Sequence, residues 1–248
     1  TVIDGSGADA SDLSIMPASY AFKDGQTVKG FDAITAQGAV TNLAYDFSGK
    51  QTTTVSGGMV EFASLTGPGK LVVGTEEAAG SAAVTSVESP VSFKVSNGFL
   101  ALNTDAATAQ SVLSAVPSPA QAAAYVTGKV DLTSASLTVG NVDSTVTTNL
   151  AVGSNGQLIA NAAGETAVTG ATTFAEGASI HFVNVASAKD QTVKLEVGEA
   201  APTTSVDNVL YYAVKADDGK SYSFAQRSDS ELASVGLNDF DDVGFLSE

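Results

Sequence analysis

The chain of 248 residues has no cysteine and no tryptophan, a single arginine (Arg227), a single histidine (His181) and only 7% aromatic residues. Without cysteine there is no disulfide scaffold, no thiolate nucleophile and no cysteine-ligated zinc site. Cations are scarce as well: 11 Lys and Arg stand against 27 Asp and Glu, a net charge of −16. A surface of that sign repels nucleic acid and anionic membranes, so neither is expected as a partner. No apolar run approaches the roughly 20 residues that span a bilayer, so no membrane insertion of this segment is expected. Thr1-Val2-Ile3-Asp4-Gly5 is not a basic region followed by an apolar stretch, and the chain reads as a mature or excised piece.

What is present is 44% hydrophobic residues, chiefly Val, Ala and Leu, with Thr, Ser and Gly supplying much of the remainder. Small and β-branched side chains suit narrow, regular strand layers. A short apolar alternation closed by a turn former recurs: Leu71-Val72-Val73-Gly74, Leu137-Thr138-Val139-Gly140, Leu150-Ala151-Val152-Gly153 and Leu195-Glu196-Val197-Gly198, with Leu100-Ala101-Leu102-Asn103 as a variant. The first and third residues of each share one strand face, and the Gly or Asn lets the backbone turn. The spacing is uneven, about 13 to 45 residues, which reads as a degenerate repeat with insertions.

Three Asx-Gly pairs predict hairpins. Asp218-Gly219 separates Val209–Val214 from Ser221–Phe224, Asp24-Gly25 follows Tyr20-Ala21-Phe22, and Asn155-Gly156 separates Leu150–Val152 from Leu158-Ile159. One segment breaks the β pattern: Asn103–Val126 is rich in Ala and Gln and predicts two short helices divided near Pro117, with Ser118-Pro119 as an N-cap and N1 pair. The acidic tail Asn238–Leu246 is expected to dock through Phe240, Phe245 and Leu246.

The Gly-terminated strands, with the runs Thr148-Asn149-Leu150-Ala151-Val152-Gly153-Ser154-Asn155-Gly156-Gln157-Leu158 and Val168-Thr169-Gly170-Ala171-Thr172-Thr173-Phe174-Ala175-Glu176-Gly177-Ala178, resemble passenger domains of bacterial autotransporters, most clearly over residues 57 to 200. The resemblance implies an all-β fold, a right-handed parallel β-helix (solenoid), and display outside the cell at the bacterial surface, commonly as an adhesin. Coils of roughly 20 to 25 residues would give six or seven turns stacked about 4.8 Å apart. The expected organisation is a hairpin cap over 1–56, the β-helix over 57–205 with a short helical insertion near 103–126, and a hairpin cap with an acidic tail over 206–248.

No residue pattern specifies a reaction, a metal or a cofactor. His181 occupies an outward position of the run Ile180-His181-Phe182-Val183, and no Gly-x-Ser-x-Gly elbow accompanies it. Asp217-Asp218 read as solvated turn residues rather than a paired acid and base. Asp239, Asp241 and Asp242 lack the Gly and terminal Glu of a calcium loop. Gly5-Ser6-Gly7 and Gly67-Pro68-Gly69 do not continue into a phosphate loop. Tyr211, Tyr212, Tyr222 and Phe224 concentrate aromatics on one hairpin, either as cross-strand packing or as a ligand-binding face. The function expected is therefore non-enzymatic: a displayed passenger fragment, adhesin or stalk, binding host protein or glycan. The alternatives are a self-assembling surface-layer or phage-fibre protein made of antiparallel β-sandwiches, and a carbohydrate-active enzyme on a β-helix, which the few His, Arg and Lys argue against.

Overall fold

A computed structural model of the chain describes residues 1–87, 90–116, 119–161, 165–175 and 177–183, together with the backbone of the strands Thr192–Val197, Thr203–Ser205, Tyr211–Lys215, Ser221–Gln226 and Val243–Leu246. The architecture is a parallel β-solenoid of about 8 turns built from two sheets. Sheet A runs Val2–Asp4, Thr27–Lys29, Ala39–Asp46, Met59–Thr66, Gly80–Val84, Gly98–Leu102, Ala122–Val126, Gly156–Asn161, Ser179–Val183 and Thr203–Ser205. Sheet B runs Asp12–Ile15, Ala33–Ala36, Thr52–Gly57, Gly69–Val73, Val91–Val95, Leu137–Val139, Leu150–Val152, Glu165–Phe174 and Thr192–Val197. Every pairing along those two paths is parallel, so these strands do not form antiparallel β-sandwiches.

Alternation decides which residues enter the space between the sheets. In sheet B the inward residues stack in register as Val55, Val73, Val95, Val139 and Val152. Beside them run Leu71, Phe93, Leu137 and Leu150, all with no exposed surface. In sheet A the matching ladder is Val60, Ala82, Leu100, Ala124, Leu158 and Ile180. Burying each Val or Leu contributes about 1.5–3 kcal/mol, and stacking like on like keeps the layer free of voids. At Leu71, Leu137 and Leu150 the Leu-x-Val-Gly motif is thus the sheet B core step with its corner, while Leu100-Ala101-Leu102-Asn103 is the sheet A equivalent, closed by Asn103 at φ 56°; Gly198 of the fourth copy lies outside the described residues.

The chain does not wind evenly. After Gly98–Leu102 it forms the helix Ala106–Ala115 and returns to sheet A as Ala122–Val126 without crossing to sheet B. It next lays Lys129–Asp131 against Ala167–Thr169, then steps back to set Leu137–Val139 beside Val91–Val95. From there it lifts to Leu150–Val152, which pairs with both Leu137–Val139 and Thr172–Phe174. Gly98–Leu102 and Ala122–Val126 follow each other in sheet A, and Lys129–Asp131, Leu137–Val139 and Leu150–Val152 follow each other in sheet B, after which the chain resumes in sheet A as Gly156–Asn161 beside Ala122–Val126. Asn149 pins this detour: its Nδ2 donates to Leu132 O at 2.8 Å and Ala135 O at 3.3 Å, and its Oδ1 accepts from Ala171 N at 3.1 Å.

Three expectations are corrected. Among the described residues only one helix forms, capped by Asp105, whose carboxylate accepts from Thr108 N at 2.7 Å; the Ala-rich Ala122–Val126 is a strand. All five of its residues are buried, Ala122, Ala124 and Val126 between the sheets and Ala123 and Tyr125 on the outer side with Val112 and Phe99. Burial on both faces between two parallel neighbours outweighs the helix propensity of alanine. Asp24-Gly25 makes no hairpin: Ser19–Ala21 and Thr27–Lys29 lie end to end, both parallel to Ala39–Asp46. Asn42 fills the gap between them, its Nδ2 donating to Phe22 O at 2.9 Å and to Asp24 Oδ1 at 3.0 Å. Asn155-Gly156 is a corner from sheet B to sheet A, not a hairpin turn. Residues 1–56 accordingly already contribute solenoid strands to both sheets.

At the far end of sheet B the direction reverses. Ser221–Gln226 pairs antiparallel with Thr192–Val197 and with Tyr211–Lys215, which in turn pairs antiparallel with Val243–Leu246. These are the strands expected around Asp218-Gly219; the turn itself lies outside the described residues, as do Asp217, Asp239, Asp241 and Asp242.

At the near end, ion pairs tie successive coils: Lys29 Nζ lies 3.1 Å from Asp4 and Lys50 Nζ 2.9 Å from Asp32. Hydrogen bonds from the Ser6 hydroxyl and N–H, then Lys29, lower the Asp4 carboxyl to about 2; Lys50, then the Ser11 N–H, lowers that of Asp32. A carboxyl depressed on folding stabilises above its unfolded value and ceases to as pH falls through the folded one. The melting temperature is therefore expected to drop between about pH 4 and pH 2. The doubly substituted Asp4→Asn/Asp32→Asn chain should show a shallower drop by circular dichroism; an unchanged slope would refute this assignment.

Candidate binding groove

The outward face of sheet B is rich in hydroxyls: Thr35, Thr54 and Ser56, then Lys70 and Val72, then Ser92, Lys94 and Ser96, then Thr138. On it lies a groove of about 770 Å³, inside the span of roughly 300–1,000 Å³ usual for ligand clefts. Lys70, Lys94, Ser96 and Thr138 make its floor. Register sets Lys70 opposite Ser92, and Lys94 opposite Val72 on one side and Thr138 on the other.

One of the two walls is a product of the winding detour, and the other is the loop that follows Gly69–Val73. The first is the segment 140–146, thrown out because Leu137–Val139 and Leu150–Val152 follow each other in the same sheet. Asp143 stiffens it, its Oδ1 accepting from Thr145 N and Oγ1, both at 2.9 Å, bonds that hold its carboxyl below the usual range. Asn155 clamps its base: Oδ1 accepts from Asn141 N at 2.6 Å and Nδ2 donates to Gln121 Oε1 at 3.3 Å. The other wall is Thr75-Glu76, held by Thr75 N donating to Ala78 O at 2.7 Å and Asn97 Nδ2 donating to Thr75 O at 3.1 Å.

Chemically the groove offers two ammonium groups, carboxamides and hydroxyls, two rim carboxylates at Glu76 and Asp143, and no aromatic ring. The sequence pattern does not reveal it: alternation marks Lys70 and Lys94 as outward, but only the register shows that they neighbour each other. The aromatics expected to bind a ligand lie elsewhere, on the closing antiparallel strands. There Tyr222 pairs with Lys215, Phe224 with Ala213, Tyr211 with Gln226 and Tyr212 with Ala225. Tyr211, Tyr222 and Phe224 fall at positions of one parity and Tyr212 at the other; their side chains lie outside the described residues.

His181 stands on the outer side of sheet A, as alternation implies, yet it is only 3% exposed, paired in register with Ile159. Ile159 and Val183 belong to the second apolar cluster, the one under the helix Ala106–Ala115. Among the described residues no three His, Cys, Asp or Glu side chains gather closely enough to hold a metal ion, and no helix is long and apolar enough to cross a membrane. Gly5-Ser6-Gly7 and Gly67-Pro68 lie in bends and turns between strands. No protein-family model, no curated protein and no solved structure matches the chain.

Proposed function

We propose that the chain is a fragment of an autotransporter-type passenger, displayed outside a bacterial cell, where it serves as an adhesin or stalk and binds host protein or glycan. The observation that carries this reading is the parallel two-sheet solenoid with a rigid, hydroxyl-rich outer face on sheet B. A solenoid holds its side chains on a fixed lattice, so a ligand meets groups whose positions are set in advance, and little ordering entropy is lost on binding. The acidic composition keeps such a rod soluble and apart from anionic lipid.

The test is display of the chain on a non-adherent bacterium, with attachment to epithelial monolayers and to immobilised matrix proteins counted against the undecorated strain. Saturable attachment that soluble chain competes away is the expected result. Attachment no greater than that of the undecorated strain on every surface would overturn the adhesin reading.

A further inference from the structure

Resting on the reading of the chain as a displayed binder, we propose that the groove on sheet B is the subsite for an anionic sugar of a glycan chain, a uronate or a sulfated hexose, held between Lys70 and Lys94.

Three observations converge on that ligand. The first is charge placement. In a chain of net charge −16, Lys29 and Lys50 are each within 3.1 Å of an aspartate; Lys23, Lys70, Lys94 and Lys129 have no ion-pair partner among the described residues, and of these Lys70 and Lys94 line the groove together. Their register puts the two backbones about 8 Å apart, on adjacent strands and two residues along. Like charges side by side on one sheet face repel, and an anion between them removes that cost.

The second is the hydrogen-bonding complement. Ser96 Oγ, Thr138 Oγ1 and the Asn141 carboxamide have no partner among the described residues, while Asn155 and Gln121 are already engaged in holding the wall. Free hydroxyl and amide groups around a fixed floor match the alternating donors and acceptors of sugar hydroxyls. The rim carboxylates of Glu76 and Asp143 accept from such hydroxyls. They also keep the groove near neutral, so it admits one anionic group rather than a dense polyanion.

The third is the absence of aromatics from the lining. Apolar peptide side chains anchor in aromatic or aliphatic pockets, and here only Val142 and Val146 are apolar beyond glycine. Selectivity is left to charge and hydroxyl pattern.

Isothermal titration of the purified chain with a uronate-bearing disaccharide, its sulfated form and its carboxyl-reduced neutral counterpart tests this. The acidic sugars are expected to bind at least roughly tenfold more tightly than the neutral one. The Lys70→Ala/Lys94→Ala chain should lose that margin with an unchanged melting temperature, because both side chains leave the outer face. Lys94→Arg should retain binding, and Thr35→Ala/Ser56→Ala, on the same face outside the groove, should leave it unchanged. Equal affinity for the neutral sugar, indifference to the double substitution, or an equal response to inorganic sulfate alone would each overturn the assignment. Absence of binding to any probe while the displayed chain still attaches to cells sinks the groove ligand alone; loss of attachment itself sinks the displayed-binder reading.

Discussion

Replacing Phe93 with alanine is expected to lower the unfolding free energy by about 3–5 kcal/mol, read from the midpoint of urea denaturation. Phe93 has no exposed surface and stacks in register between Leu71 below and Leu137 above. Leu137 reaches that place only because the chain steps back after Lys129–Asp131, so Phe93 is also the platform on which the detour docks. Its removal leaves a void that a close-packed ladder fills poorly, since each neighbour is held by its own backbone pairing. In a stacked array stability is carried by nearest-neighbour interfaces, and a weak step in the middle costs both sides. The comparison is Thr52→Ala, at an exposed position of sheet B, expected within about 0.5 kcal/mol of the parent chain. Equal losses at the two positions would defeat the ladder account.

Gly98→Ala is expected to be at least as damaging, about 3–5 kcal/mol, from backbone conformation and overlap together. Gly98 has φ +115°, and a Cβ there would sit 1.9 Å from Gly80 O and 2.8 Å from Gly80 N. Both contacts are backbone of the neighbouring coil, so relief requires the coils to part. Gly80, Gly98, Ala122 and Gly156 are in register at the start of successive sheet A strands, a column of small residues where the corners stack most closely. Gly128 separates the two causes: its φ is +65° but a Cβ there meets nothing within 4 Å, so Gly128→Ala should cost only about 1–2 kcal/mol. Comparable melting temperatures for the two variants would show that close approach of the coils contributes little.

Much of the architecture is legible in residue order. Leu71-Val72-Val73, Leu137-Thr138-Val139 and Leu150-Ala151-Val152 announce inward Leu and Val with an outward residue between, and the structure uses them so. The uneven spacing of the motif also carries information. Val95 and Val139 are stacked neighbours 44 residues apart, and Val139 and Val152 are stacked neighbours only 13 apart. The first interval spans the helix and three strands laid elsewhere; the second is a direct step within one sheet. Counting residues shows that the period fails, but not that the two irregularities compensate.

Local signals misled where two environments share one signature. Asx-Gly pairs also suit sites that are not hairpins: Gly25 takes φ +77° in the break between collinear strands, whereas Gly156 turns a corner where a Cβ would sit 2.4 Å from Val139 O. Ala122-Ala123-Ala124 favours a helix in isolation and becomes a strand because both its faces are covered.

Residue order by itself therefore determined the strand character, the inward faces, the small side chains at the corners, the break in the β pattern that holds the helix and the acidic surface, since each follows from alternation or composition within a few residues. Tertiary structure alone decided which sheet each strand joined, the step back that sets Leu137 on Phe93, the wall at 140–146 and the meeting of Lys70 with Lys94. Those depend on parallel neighbours 13 to 44 residues apart, such as Val139 with Val152 and Val95 with Val139. The physical reason is that a strand's own alternation fixes which side is buried, whereas its partner is chosen by the fit of a whole ladder.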